Sequence, residues 1–86
     1  MPIDIAKRRQ NERKFETWRD LPDGGRLYSY DVKGRSGWLA RYLKQVDAEE
    51  ATVRFHQEVF DGEGRLRDVH EKFPADLGHR KIDEES

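Results

Sequence analysis

At 86 residues, with 41% charged against 34% hydrophobic side chains, the chain has room for one thin-cored domain and not two. It holds no cysteine, no apolar run long enough to span a bilayer and no charged-then-apolar leader at Met1. Those features exclude a disulfide framework, a thiol nucleophile and cysteine-ligated zinc, and they set the expectation of a cytoplasmic protein with no membrane partner and no cofactor.

The net charge of −1 hides an asymmetry: residues 1–46 carry eleven Lys/Arg against six Asp/Glu, and residues 47–86 carry six against twelve. A dipolar surface, head-to-tail self-association and a nucleic-acid surface all fit that pattern.

Residues 1–14 read as a basic helical segment. Asp4 is placed to cap it or to face its dipole, and Lys7, Arg8, Arg9, Arg13 and Lys14 follow with good helix propensity. The apolar stripe is weak, so a short helix is expected. Phe15, Trp18 and Leu21 recur at three-residue spacing, which suits a turn-rich piece packed on a sheet. Leu21-Pro22-Asp23-Gly24-Gly25 ends it with strong turn chemistry.

Residues 26–73 read as four strands: Arg26 to Lys33, Trp38 to Val46, Thr52 to Phe60 and Arg65 to Phe73. Alternation is clearest at Tyr28, Tyr30, Val32 and at Val53, Phe55, Val59. The turns between them are short enough to require an antiparallel meander. Pro74 closes the fourth strand because it cannot donate to a ladder. Residues 75–86 read as a loose tail, with Leu77 and Ile82 as anchors onto the sheet. The expected fold is therefore α+β: a short N-terminal helix packed on a four-stranded antiparallel β-meander, in a single domain over 1–86.

Turn types give a register. A three-residue loop with Gly64 left-handed pairs Asp61 with Arg65, hence Glu58 with Asp68 and His56 with His70. The same loop with Gly37 pairs Gly34 with Trp38, hence Asp31 with Arg41. A four-residue loop at Ala48–Ala51 pairs Asp47 with Thr52, hence Arg41 with Glu58. One face then gathers Tyr28, Tyr30, Val32, Trp38, Ala40, Tyr42, Val46, Val53, Phe55, Val59, Val69 and Phe73, which marks it as the core face.

The other face carries the candidate chemistry. His56 and His70 across from each other, beside Glu58 and Asp68, could bind a divalent metal or act as an acid–base pair, with His79 reaching in from the tail. Two half-exposed sheet histidines without a task fit the same residues, and no metal is established. Arg41 among Asp31, Glu58 and Asp68 reads as a cross-strand charge ladder. Leu39, Leu43, Phe60 and Leu66 form a candidate partner face. Lys7, Arg8, Arg9, Arg13 and Lys14 are candidate nucleic-acid contacts, although no aromatics are interleaved with them.

Three stretches carry a resemblance: Trp18-Arg19-Asp20-Leu21-Pro22-Asp23-Gly24-Gly25-Arg26-Leu27-Tyr28, Gly34-Arg35-Ser36-Gly37-Trp38, and His70-Glu71-Lys72-Phe73-Pro74-Ala75-Asp76-Leu77-Gly78-His79-Arg80. Together they resemble a family of small uncharacterised prokaryotic proteins, a domain of unknown function. The resemblance implies a shared small domain over about residues 15–81 and no established activity. A weaker likeness, through Gly78-His79, is to TumE-type toxins and implies action on RNA. The histidines that likeness implies further on are replaced by Arg80 and Lys81, so no catalytic role is carried over. Two functions follow as expectations. One is a non-enzymatic binding module that engages a protein partner, another copy or nucleic acid. The alternative is a small His- or metal-dependent RNA-cleaving enzyme.

Overall fold

The computed structural model describes residues 2–76 and 78–82. One helix, α1 (Ile5–Lys14), precedes six strands: β1 (Thr17–Asp20), β2 (Arg26–Lys33), β3 (Leu39–Val46), β4 (Thr52–Phe60), β5 (Leu66–Phe73) and β6 (Gly78–Lys81). They form one antiparallel sheet in the order β1-β2-β3-β4-β5-β6. The class is α+β, with two more strands than the four expected. The extra two are the edges. The segment holding Trp18 pairs with β2 where a turn-rich piece packed on the sheet was expected, and residues 78–81 pair with β5 where a loose tail was expected. Neither edge strand shows an alternating apolar pattern, Thr17-Trp18-Arg19-Asp20 in β1 and Gly78-His79-Arg80-Lys81 in β6.

The helix forms as its cap dictates. The Asp4 carboxylate accepts from the Lys7 amide, and the Phe15 amide closes the last turn on the Asn11 carbonyl. Its one buried residue is Asn11, so it is held to the sheet by polar contacts. Phe15, just past its end, supplies the apolar anchor. It packs on Tyr28, Tyr30 and Phe55 at ring-centroid distances of 5.3–6.4 Å. The fully buried hydrophobic core among the described residues is Phe15, Tyr28 and Val46.

Three hairpin loops share one backbone pattern. In Leu21–Gly25, Asp47–Ala51 and Asp61–Arg65, the first amide donates to the fifth carbonyl and the fourth amide donates to the first carbonyl. The fourth residue is left-handed in each: Gly24, Glu50 and Gly64, at φ of +86°, +75° and +82°. Two follow glycine chemistry and one does not, since Glu50 takes a conformation that costs an L-residue about 1–2 kcal/mol.

The register between β2 and β3 follows the turn argument, and the central pairs of β3 and β4 come out as expected. Asp31 pairs with Arg41, Arg41 with Glu58, and Gln45 with Arg54. The β3–β4 loop is one residue shorter than expected, and a bulge at Val53 restores the register. Across β4 and β5 the outcome differs. Asp61 pairs with Arg65 as expected, but the ladder then slips: Phe60 faces Leu66 and Val59 faces Asp68. The extra residue, Arg67, turns Asp68 to Glu71 over, and a second shift at Lys72 then pairs Phe73 with Phe55. Glu58 therefore faces Val69, Gln57 faces His70 and His56 faces Glu71.

Candidate functional site

The sheet has two distinct faces. The helix-side face carries Trp18, Tyr28, Tyr30, Tyr42, Phe55, Gln57 and, after the bulge, Asp68 and His70. The opposite, open face carries Ser29, Asp31, Leu39, Arg41, Leu43, His56, Glu58 and Val69.

The histidines do not form the expected pair. His56 is buried on the open face with Nε2 3.3 Å from Glu58 Oε2. His70 lies on the helix-side face, 2.6 Å from Asp76 Oδ1. The Asp76 carboxyl is held below its usual range first by the Gly78 amide and then by His70. Asp68 also sits on the helix-side face and so leaves the open-face cluster. His79 stands opposite His70 in the β5–β6 register. No group of three or more His, Asp or Glu suited to a metal occurs among the described residues. The physical reason for the correction is the bulge: β4 sets the facing of β5 through one inserted residue.

On the open face the charges neutralise one another. Arg41 grips Asp31 through two nitrogens, at 2.9 and 3.2 Å. Arg54 binds Glu71. Arg41 also lies over the Phe60 ring, 5.4 Å from its centroid. Leu39, Leu43, Phe60 and Leu66 do share this face, all half-buried. The charge ladder read from sequence is present, without Asp68.

The helix-side face is organised around a polar network that sequence reasoning missed. The Glu50 carboxylate is fully buried and accepts from Tyr28 Oη, from Asn11 Nδ2 at 3.1 Å and from Arg8 Nε at 3.0 Å. Burial alone would push the Glu50 carboxyl up, but those three donors outweigh it and hold the pKa below the usual range. The Tyr28 hydroxyl is pushed up, by burial first and then by Glu50. Arg26 bonds Glu12 at 2.8 Å and Asp20 at 3.1 Å and lies over the Trp18 and Tyr28 rings. Lys44 Nζ donates to Asn11 Oδ1 at 2.9 Å. This network clamps α1 to the sheet, and its local trace in the sequence is a glutamate, Glu50, at the loop position where the other two hairpins carry glycine.

The basic set of α1 is divided by this packing. Arg8 is committed to Glu50. Lys7, Arg9 and Arg13 are exposed. Lys14 reaches the aromatic surface, with Nζ 5.8 Å from the centroids of both Phe15 and Phe55. From the other side Lys72 Nζ lies 5.2 Å from the Tyr42 ring and 5.7 Å from Phe55. Tyr30 and Tyr42 stack at 4.8 Å and 15°, and Tyr42 and Phe55 follow at 6.5 Å. The aromatics missing from the basic run are thus supplied by neighbouring strands.

No described helix is long and apolar enough to cross a membrane. Comparison with models of known families, with curated proteins and with solved structures finds no match to this chain.

Proposed function

We propose that this protein is a non-enzymatic binding module that works through the uncovered part of its helix-side face. The observation that carries this reading is an aromatic sheet face that runs well beyond the one helix packed on it. Trp18 and Trp38 are each 42% exposed and Val32 is 49% exposed. Both tryptophans project on this side, Trp18 beside Tyr28 and Trp38 out of phase with Leu39. An apolar surface with aromatic anchors and a charged border is the composition that binding surfaces favour. The catalytic alternative calls for His56 and His70 to act together, and their placement on opposite faces weighs against it.

A photo-crosslinking amino acid tests the reading. Placed at Tyr42 on the helix-side face, it should give adducts in cell extract. Placed at Leu43, the next residue but on the open face, it should not. Adducts from position 43 alone would move the binding surface to the open face and overturn the reading. RNA turnover by the purified protein that disappears in His70→Ala would overturn its non-enzymatic part.

A further inference from the structure

We propose that the helix-side face binds single-stranded nucleic acid, with bases stacked on Tyr42 and Phe55 and the adjoining phosphates held by Lys14 and Lys72. This rests on the reading of that face as the binding surface and names its ligand.

The first argument is the state of the cations. Lys14 and Lys72 form no ion pair with a described carboxylate, and their ammonium groups rest over aromatic rings. The acids near this face are already committed: Glu50 to Arg8, Glu12 and Asp20 to Arg26, and Asp76, which also feels Lys72, to the Gly78 amide and His70. Asp68 lies further along β5, in a hollow with Trp38, Val59 and Ile82. The middle of the face is therefore positive. Lys44, two residues from Tyr42 along β3, has its ammonium pushed down by burial first and then by Lys14, with Glu50 opposing.

The second argument is the geometry of the rings. Tyr30, Tyr42 and Phe55 come from three adjacent strands and form a continuous aromatic row. A base has a π-face on either side and stacks on such rings whatever its identity. An exposed cation–π contact is the weaker interaction, so an arriving base can displace an ammonium from its ring. The lysine then needs to move only a few ångströms on its flexible stem to meet the phosphate that the base brings with it. In a duplex the base faces are stacked on one another, which makes the single strand the preferred form. An acidic peptide would satisfy the lysines and leave the rings without stacking partners.

Fluorescence anisotropy of a dye-labelled oligonucleotide tests this, using the full chain and a strand of about twelve nucleotides, within the site sizes of single-strand binders. The single strand should bind at least about tenfold more tightly than its duplex. Tyr42→Ala should weaken binding about tenfold. Lys72→Gln, a change at a half-buried side chain that keeps most of its stem, should weaken binding and make the log–log salt slope shallower by about 0.7. Arg54→Gln on the open face should leave affinity unchanged. Equal affinity for duplex, an unchanged slope in Lys72→Gln, or loss only on neutralising Arg9 and Arg13 would each overturn the proposal. No oligonucleotide binding, with crosslinking from position 42 retained, would overturn it in favour of a protein ligand. Loss of both would remove the binding-module reading as well.

Discussion

The two faces of this sheet handle charge in opposite ways. On the open face arginine meets carboxylate across the strands, Arg41 with Asp31 and Arg54 with Glu71, and the surface is neutralised from within. On the helix-side face arginine is likewise spent on acids, but Lys14 and Lys72 lie over rings instead. The difference shows that a net charge of −1 says little about either surface. A nearly neutral chain can hold its cations and its acids in pairs on one face and rest two lysines on aromatic rings on the other. A paired ladder has little to offer a polyanion, because each cation would first have to leave its carboxylate.

The comparison can be broken most severely at the apolar anchor of the helix. Phe15→Ala removes a ring that is 1% exposed and should lower stability by about 3–5 kcal/mol. Thermal or urea unfolding followed by circular dichroism would show it, and a loss below about 1 kcal/mol would mean the helix is held by its polar contacts alone. Next in size is Glu50. Glu50→Ala strands Tyr28, Asn11 and Arg8 and should cost about 2–3 kcal/mol. Glu50→Gly loses the same bonds but relieves the left-handed backbone, so it should be about 1 kcal/mol more stable than the alanine variant. Equal stabilities would show that the loop carries no strain.

The pH dependence sharpens the same point. Glu50 has a depressed folded pKa, so its contribution is fully present above the unfolded value of about 4.3 and is lost as pH falls through the folded value. Urea midpoints of the wild type and Glu50→Gln should therefore differ at neutral pH and converge on the acid side of about pH 4. A gap that stays constant with pH would exclude the carboxylate as the source. The smallest effect belongs to the open face. Asp31→Asn breaks an ion pair in which both side chains are more than a third exposed, and it should cost about 0.2–1 kcal/mol and less in high salt. A loss above about 2 kcal/mol would mean that the open face is covered in solution.

Much of the sheet was legible from residues alone. Tyr28, Tyr30 and Val32 alternate, Gly37 and Gly64 sit at the left-handed positions of their loops, and Asp4 caps the helix. From the Gly37 loop the pairing of Asp31 with Arg41 follows; that of Arg41 with Glu58 came out as expected only because the bulge at Val53 offsets a shorter loop. The pairing of His56 with His70 did not survive. Its derivation treated β4–β5 as a regular ladder, and β5 has no strong alternation to resist a one-residue slip. The polar clamp was hidden for another reason. Arg8, Asn11, Tyr28 and Glu50 are far apart in sequence, and polar residues on a helix read as a solvated face until a buried partner is seen.

By itself, then, the sequence determined the class, the antiparallel order of the central strands and the register between β2 and β3. Period-two patterning and turn chemistry are local properties, and local properties are written in neighbouring residues. Only the tertiary structure decided which face β5 presents, how α1 is held and where the lysines of α1 and β5 meet the aromatic row. Each of those depends on contacts between distant segments: one inserted residue inverts the middle of β5, and one buried carboxylate gathers donors from a helix and a strand.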